Sequence, residues 1–451
     1  MPFRSKGRHL LLALACVAAA CTPGGGAPSQ GSNTPGQSDG PGGGRTGAIE
    51  FGVLGAPGTL DPYSPSATDL TFMLVRPLFP SLFQLDPRGR PRAMLVRTAT
   101  ATGPRGLQIT LRRASWSNGR SITARDVVSS VRRAEPPSGL ADVASARAMG
   151  RRRVRLTGAL DWKRTLATAA PILPSGGGVH AGGVFGGPFE LESFTPGLEA
   201  VYSPNPNWWG AEPRSDRIVV RFVQDLEIML ALLRSGRLDG AAPPSSVNLG
   251  QRLDAIGLKH SSVLGWESLW FDLQGAQMDG AGRAGVARAI DRTALERGLV
   301  RSHGRLTNTL HPGPGRGAAE GAWRRPARPP VVTAPSPIQV AVAGGDELAE
   351  LVQRALRLQL EEAGFSVELV SADAATFYGP WRREDPMDIA IRRTSGAPAS
   401  TDDSAPLHDS LAVPFAQVET FVAWRDGLRG PAANPTLDGP LWNLERWRLA
   451  S

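Results

Sequence analysis

Apolar and polar residues alternate most sharply between Leu107 and Val131. Leu107, Ile109 and Leu111 interleave with Gln108, Thr110 and Arg112, the period-two pattern of a half-buried strand. Asn118-Gly119 then predicts a turn, because glycine accepts the positive φ that turns require. Thr123-Ala-Arg-Asp126 predicts a capping box, with the acid on the positive end of a helix. Val127, Val128 and Val131 form that helix's apolar face, and Trp116 anchors the turn before it.

The same reading places elements along the rest of the chain. Ala48 to Leu54 alternates as a strand, Thr59-Leu-Asp-Pro62 turns out of it, and Asp69 to Phe83 predicts a helix carrying Leu70, Met73, Leu74, Leu78 and Leu82. A hairpin-like segment begins at 86, then a strand, a short helix and a Gly-rich loop span 154–178. Phe189 to Phe194 and Ala200 to Gly210 predict two strands, the second ending in an Asn/Pro turn beside Trp208 and Trp209. Ile218 to Val223 predicts a strand, Leu226 to Leu233 a helix, and Gly236 to Asp239 its exit. The Pro/Ser-rich run from Ala241 to Ser246 predicts a crossing between lobes. Val286 to Leu299 predicts a helix, and 311–337 a loop. Ile338 to Val342, Glu347 to Ala363 and Val367 to Val370 read as strand, helix and strand, a parallel α/β unit. Met387 to Ile391 and Val418 to Trp424 add two more strands.

Length and charge narrow the class. A chain of 451 residues exceeds one compact core, so two or three domains are expected. The net charge is +9, mostly from scattered Arg. The cluster Arg151-Arg152-Arg153 with Arg155 reads as a solvated strand edge, and the absence of interleaved aromatics argues against nucleic acid.

The two cysteines, Cys16 and Cys21, lie at the N-terminus, which excludes disulfide or thiol chemistry elsewhere. Arg4, Lys6 and Arg8 precede an apolar run from Leu10 to Ala20, so 1–21 reads as an export signal. Ala18-Ala-Ala-Cys21 resembles a bacterial lipobox, which makes Cys21 the expected lipidation site; ordinary cleavage and secretion is the alternative. Residues 22–46 have the Gly/Pro/Ser composition of a disordered tether.

Catalytic signatures are missing. The chain has no phosphate-binding G-x-x-x-x-G-K-[ST], no H-E-x-x-H and no G-x-S-x-G, and its six His are scattered. Gly280-Ala-Gly282-Arg-Ala-Gly285 fits a dinucleotide fingerprint but lacks the acid expected about twenty residues on. No enzyme, cofactor or metal is called for. Eleven Trp in an exported, tethered α/β chain suit reversible ligand capture instead.

An ordered set of motifs resembles the extracytoplasmic solute-binding proteins of ABC importers, the dipeptide/oligopeptide-binding family 5. Thr59-Leu-Asp-Pro62 is similar to the family's opening motif, and Arg76-Pro-Leu-Phe79 with Asp86 to its first helix and exit. Trp116-Ser-Asn-Gly119 with Thr123 to Val128 is similar to its most recognisable signature, and Gly187-Pro-Phe189 with Asn205-Pro-Asn-Trp-Trp-Gly210 to its central one. Gly236 to Asp239, Arg283 to Arg292, and Asn434-Pro435 with Trp442 and Trp447 resemble later segments.

The resemblance implies an α/β fold of two hinge-linked lobes, with a small domain inserted in the first. The expected first lobe is 47–240 with 418–451, its insertion is about 86–170, and the second lobe is 241–417. The resemblance also implies a monomer that captures a peptide or other small solute and works with an ABC permease and ATPase. The candidate ligand-binding residues are Tyr63, Trp266, Trp270, Phe377, Trp381, Arg383, Arg393 and Thr394.

The chain departs from the family where peptide binders carry a Trp and then an Asp that meets the ligand's α-amino group. Here the run after Asp388 to Arg393 is Thr394-Ser-Gly-Ala397-Pro398. The segment between Ala397 and Ala412 is shortened, and a strand that usually ends Phe-Asn ends Phe271-Asp272. A fold member serving as scaffold or sensor, without a transported solute, is therefore the alternative reading.

Overall fold

The computed structural model describes residues 47–450 apart from 65, 135–139, 141–142, 159–161, 169, 276–277, 311–322, 328–335, 379–385, 396–410 and 437. Cys21, Trp381 and Arg383 lie outside the described residues.

The first half of the chain holds β1 (Ala48–Leu54), α1 (Asp69–Val75), β2 (Phe83–Leu85), β3 (Pro91–Ala93), β4 (Val96–Ala101), β5 (Gly106–Leu111), α2 (Ala124–Arg133), β6 (Ser145–Ala148), β7 (Arg153–Thr157), α3 (Trp162–Thr168), β8 (Phe189–Thr195), β9 (Glu199–Pro204) and β10 (Arg217–Val223). Then come α4 (Leu226–Arg234), β11 (Gly240–Ala242), α5 (Leu249–Ala255), β12 (Lys259–Asp272), α6 (Gly280–Ala289), α7 (Arg292–Leu295), β13 (Gly304–Leu306), β14 (Ile338–Ala343), α8 (Glu347–Glu362), β15 (Val367–Ala372), α9 (Ala374–Tyr378), β16 (Ile389–Ser395), β17 (Ala412–Trp424), β18 (Leu428–Arg429) and β19 (Arg448–Leu449).

The main sheet runs β15-β14-β16-β12-β17-β11-β1-β10-β9-β8, with β13 also on β17. At one end β1 lies parallel to both β10 and β11, and at the other β14 lies parallel to β15 and β16. Parallel neighbours need crossover connections, and helices supply them. α8 packs Leu348, Val352, Leu356 and Leu360 beneath β14 and β15, with Asp346 as its N-cap.

The antiparallel ribbon of β12 and β17 joins the two parallel units. Lys259–Leu264 pairs with Trp424–Glu419, the register breaks, and Ser268–Asp272 pairs with Gln417–Ala412. On one side of the break, Phe421 and Ala423 pack with Leu230, Leu233, Leu249 and Leu253 of α4 and α5. On the other, Leu269, Phe271, Val413, Phe415 and Val418 belong to the core around α8. The ribbon also enters the largest, first core through Trp266 and Val422, which join Ile49, Phe51, Tyr63, Trp116 and Trp447. The α4/α5 cluster flanks the same strands β10 and β11, and the core around α8 is the second.

The 107–131 stretch folds as read, over β5 and α2. Thr123 and Asp126 form the capping box, and Asp126 also accepts from Ser175 N at 2.9 Å. Trp116 is fully buried, and Gly119 takes φ +78. β4, β5, β7 and β6 make a separate small sheet with α2 on one face. β7 is an inner strand of that sheet, so Arg153 and Arg155 project from its face rather than from an edge.

Two predicted helices differ. α1 stops at Val75, because Pro77 has no N–H to extend the ladder. The predicted helix from Val286 to Leu299 is divided: α6 ends at Ala289, and the Asp291 carboxylate accepts from Thr293 and Ala294 N–H to start α7. The G-x-G-x-x-G run lies inside α6, capped by Asp279, rather than in a strand-to-helix loop. No helix among the described residues is long and apolar enough to cross a membrane.

Candidate functional site

The break in β12 aims side chains toward the junction of the two cores. Residues 265–267 of β12 oppose a single residue of β17, and such a bulge bends its strand and re-aims the side chains on it. Trp266 N donates to Pro435 O at 2.8 Å, and its ring is buried in the first core. Glu267 turns the other way, toward Arg393 on the adjacent strand β16.

Arg393 is the centre of the junction. Its Nε and Nη2 donate to the two carboxylate oxygens of Asp346 at 2.7 and 2.8 Å, a bidentate pair. Its Nη1 donates to Glu267, and Nη2 also donates to Ser245 O at 3.2 Å. These partners come from the N-cap of α8, from β12 and from the segment after β11, so one guanidinium fastens three parts of the chain. Burial works against its charge, but the carboxylates of Asp346 and Glu267 more than offset that and raise its pKa. Burial pushes the Glu267 carboxyl above the usual carboxylate range, with Arg393 pulling it back.

Other groups complete the junction. Tyr378 donates its hydroxyl to Arg393 O at 3.2 Å. His303 is 3% exposed, and burial, assisted by the Arg393 charge, lowers its pKa to about 4. Gly345 has φ +85 and sits so close to Gln224 O, at the β10–α4 turn, that a Cβ would collide with it. Nearby, Arg252 bridges Glu227 of α4 and Glu347 of α8 beside an open groove of about 750 Å³. Turns at the C-terminal ends of parallel strands, here β10 and β14, are where open α/β sheets take ligands.

The candidate residues fall into two groups. Tyr63 is buried in the first core, with its hydroxyl donating to Pro171 O at 2.7 Å and the Arg133 guanidinium 5.2 Å from its ring centre. Trp266 shares that core. Trp270, Arg393 and Thr394 lie on the paired strands β12 and β16, where Trp270 pairs with Arg392 and Thr394 with Ser268. Trp270 packs on Leu310 and Ala412, while Phe377 belongs to a separate cluster with Ala341, Ala343 and Ala390. Phe377 is 1% exposed, with Arg392 over its ring at 5.1 Å.

One departure from the family pattern finds its partner here: Asp272 accepts from Arg392 Nε at 2.6 Å, and both side chains are buried. Glu267, Asp346, Ser245, Tyr378 and His303 were not among the candidates. A Gly-Gly-Asp run between a predicted strand and helix was the available signal for Asp346.

Relatives of known sequence share parts of the chain. Oligopeptide-binding protein OppA of Mycobacterium tuberculosis is 26% identical over 229 residues, 44% of this chain and 38% of OppA. Peptidoglycan-binding protein YepA of Agrobacterium fabrum is 28% identical over 156 residues, 28% of this chain and 25% of YepA. The matches thus span less than half the length of these curated relatives.

Among solved structures, AppA from Bacillus subtilis in complex with a nonapeptide superposes with a TM-score of 0.76 at 14% identity, covering 90% of this chain and 99% of AppA. Periplasmic EDTA-binding protein EppA gives 0.73 at 17% identity, covering 90% and 97%. NikA from Staphylococcus aureus in complex with Ni(L-His)2 gives 0.71 at 15% identity, covering 90% and 100%. These neighbours establish the two-lobe α/β fold. The model of the bacterial extracellular solute-binding proteins, family 5 Middle, matches residues 97–411, and the chain belongs to that family.

Proposed function

We propose that the chain is the extracytoplasmic substrate-binding lipoprotein of an ABC importer, anchored through Cys21, that captures a peptide or peptide-like solute between its lobes and delivers it to the permease. The observation that carries this reading is the β12/β17 ribbon. It crosses from one core to the other and breaks register at 265–267, beside a cluster in which Arg393 holds both sides. A two-stranded hinge flanked by a charged latch supports ligand-biased closure. Trp270, Phe377, Arg393 and Thr394 are the proposed ligand-side residues on the second lobe. Tyr63 supports the first-lobe wall from behind, and Trp266 seats the hinge against Pro435. ATP hydrolysis belongs to a separate subunit.

One observation favours the second reading, a scaffold or sensor without a transported solute. Where a peptide binder offers an acid to the ligand's amine, this chain carries Thr394-Ser-Gly-Ala397-Pro398, and the cation before that run, Arg393, is already paired with Glu267 and Asp346.

Thermal unfolding of the chain, with di- to pentapeptides, sugars and opines added in turn, separates the two. A solute held at a hundredfold over its Kd stabilises by about 2.7 kcal/mol and raises the melting temperature. A folded chain that shifts with none of them sinks the capture reading.

A further inference from the structure

The small sheet β4-β5-β7-β6 has one face covered by α2 and one face open to solvent. Register fixes the open face. Thr100, Gln108, Arg155 and Arg147 form one cross-strand row, and Thr98, Thr110 and Arg153 the next. Arg147, Arg153 and Arg155 are exposed and have no ion pair among the described residues. Arg147 lies directly opposite Arg155. Like charges in that position weaken a sheet, so folding alone does not ask for them.

The sequence around this sheet is equally one-sided. Residues 87–160 hold sixteen Arg and no Lys, against the three acids Asp126, Glu135 and Asp142. That is +13 in a chain whose total is +9, so the remainder sums to −4. Asp126 is itself buried and occupied by Thr123, Ser175 and Arg120. Arg97, Arg105 and Arg113 are also exposed on this unit.

We propose that this face docks on an anionic phospholipid surface. Charge complementarity carries the argument. Three guanidinium groups stand on a grid of about 5 by 7 Å, and each can grip a phosphate through two N–H donors. The other members of its rows are Thr, Gln and Ser, so it lacks the aromatic platforms that single-stranded nucleic acid uses. Its one exposed large apolar side chain among the described residues is Met149, at the β6–β7 turn, short of the aromatic cluster that anchors a protein interface. The proposal goes beyond solute capture and needs neither the ligand nor the lipid anchor. Its effect is to hold the inserted domain against the membrane.

The test is vesicle flotation of the full-length chain carrying Cys21→Ser, so that no acyl group contributes. Vesicles of phosphatidylcholine, and of phosphatidylcholine with about one third phosphatidylglycerol, are compared at about 0.05 M salt. The leader carries Arg4, Lys6 and Arg8, which also favour the anionic vesicles, so its contribution is common to every variant and is read from the triple Ser variant below. The expected result is association with the anionic vesicles only, lost at about 0.5 M salt. Arg147→Ser/Arg153→Ser/Arg155→Ser should weaken it on the order of a hundredfold, about fivefold per arginine. The corresponding triple Lys variant should retain binding, which separates charge from folding. No salt-sensitive preference of the parent chain for anionic vesicles overturns the proposal, as does equal flotation of the Ser variant in its folded state. Binding to soluble polyphosphate but not to the vesicles makes the partner a different polyanion and overturns the lipid assignment.

Discussion

Arg393→Met removes a guanidinium whose side chain is 14% exposed and leaves Glu267 and Asp346, 12% and 10% exposed, without their shared cation. Removing one member of a buried pair costs about 3–5 kcal/mol, because the charge left behind stays out of water. An exposed pair would cost about 1 kcal/mol or less. Three partners converge on Arg393 and two are charged, so the upper range applies. Urea unfolding followed by Trp fluorescence measures the loss.

The deficit should also depend on pH. Burial already raises the Glu267 carboxyl pKa, and loss of Arg393 removes the charge that pulls it back. A carboxyl with a raised folded-state pKa binds protons more readily in the native state, so the variant loses stability as pH rises through that pKa. The deficit at pH 8 should therefore exceed that at pH 5. Arg393→Met/Glu267→Gln should recover part of the loss, since one stranded carboxylate is gone. A loss under about 1 kcal/mol, or one equal at both pH values, would refute the latch.

His303 gives a second pH test. Its pKa falls from 6.5 to about 4, so the unfolded chain protonates first and stability declines as pH falls between those values. The decline amounts to up to about 3 kcal/mol, and His303→Gln should flatten the profile in that window. Gly345→Ala meets both a positive φ and Gln224 O, whereas Gly364→Ala, at φ +92, meets nothing within 4 Å. The first should lower stability by about 1–3 kcal/mol more than the second, read from paired denaturation curves. Arg76→Met strands the buried Asp438 carboxylate, whose partner is 2.9 Å away, and should cost about 3–5 kcal/mol; a change near zero would mean that Asp438 is neutral in the fold.

Local pattern carried most of the elements and little of the junction. β1, β5, β10 and α8 follow from periodicity and capping, which depend on residues within a turn of one another. Trp266 and Trp270 show the limit. Period-two spacing puts them on one face, but the irregularity at 265–267 sends Trp266 into the first core and leaves Trp270 beside Leu310 and Ala412. Arg393 was visible as a candidate residue at the start of the departure from the family. Its partners were not, because Asp346 and Glu267 lie 47 and 126 residues away, and no local rule pairs them.

The ribbon has a consequence for biosynthesis. β17 supplies Val413, Phe415 and Val418 to one core and Phe421 and Ala423 to another, so neither is complete until residue 424 has been made. Pairings this distant in sequence form slowly, because the intervening chain must close first. The nascent chain thus stays loose while it is synthesised, and the last strand of its main sheet sets the time at which these two cores become solid.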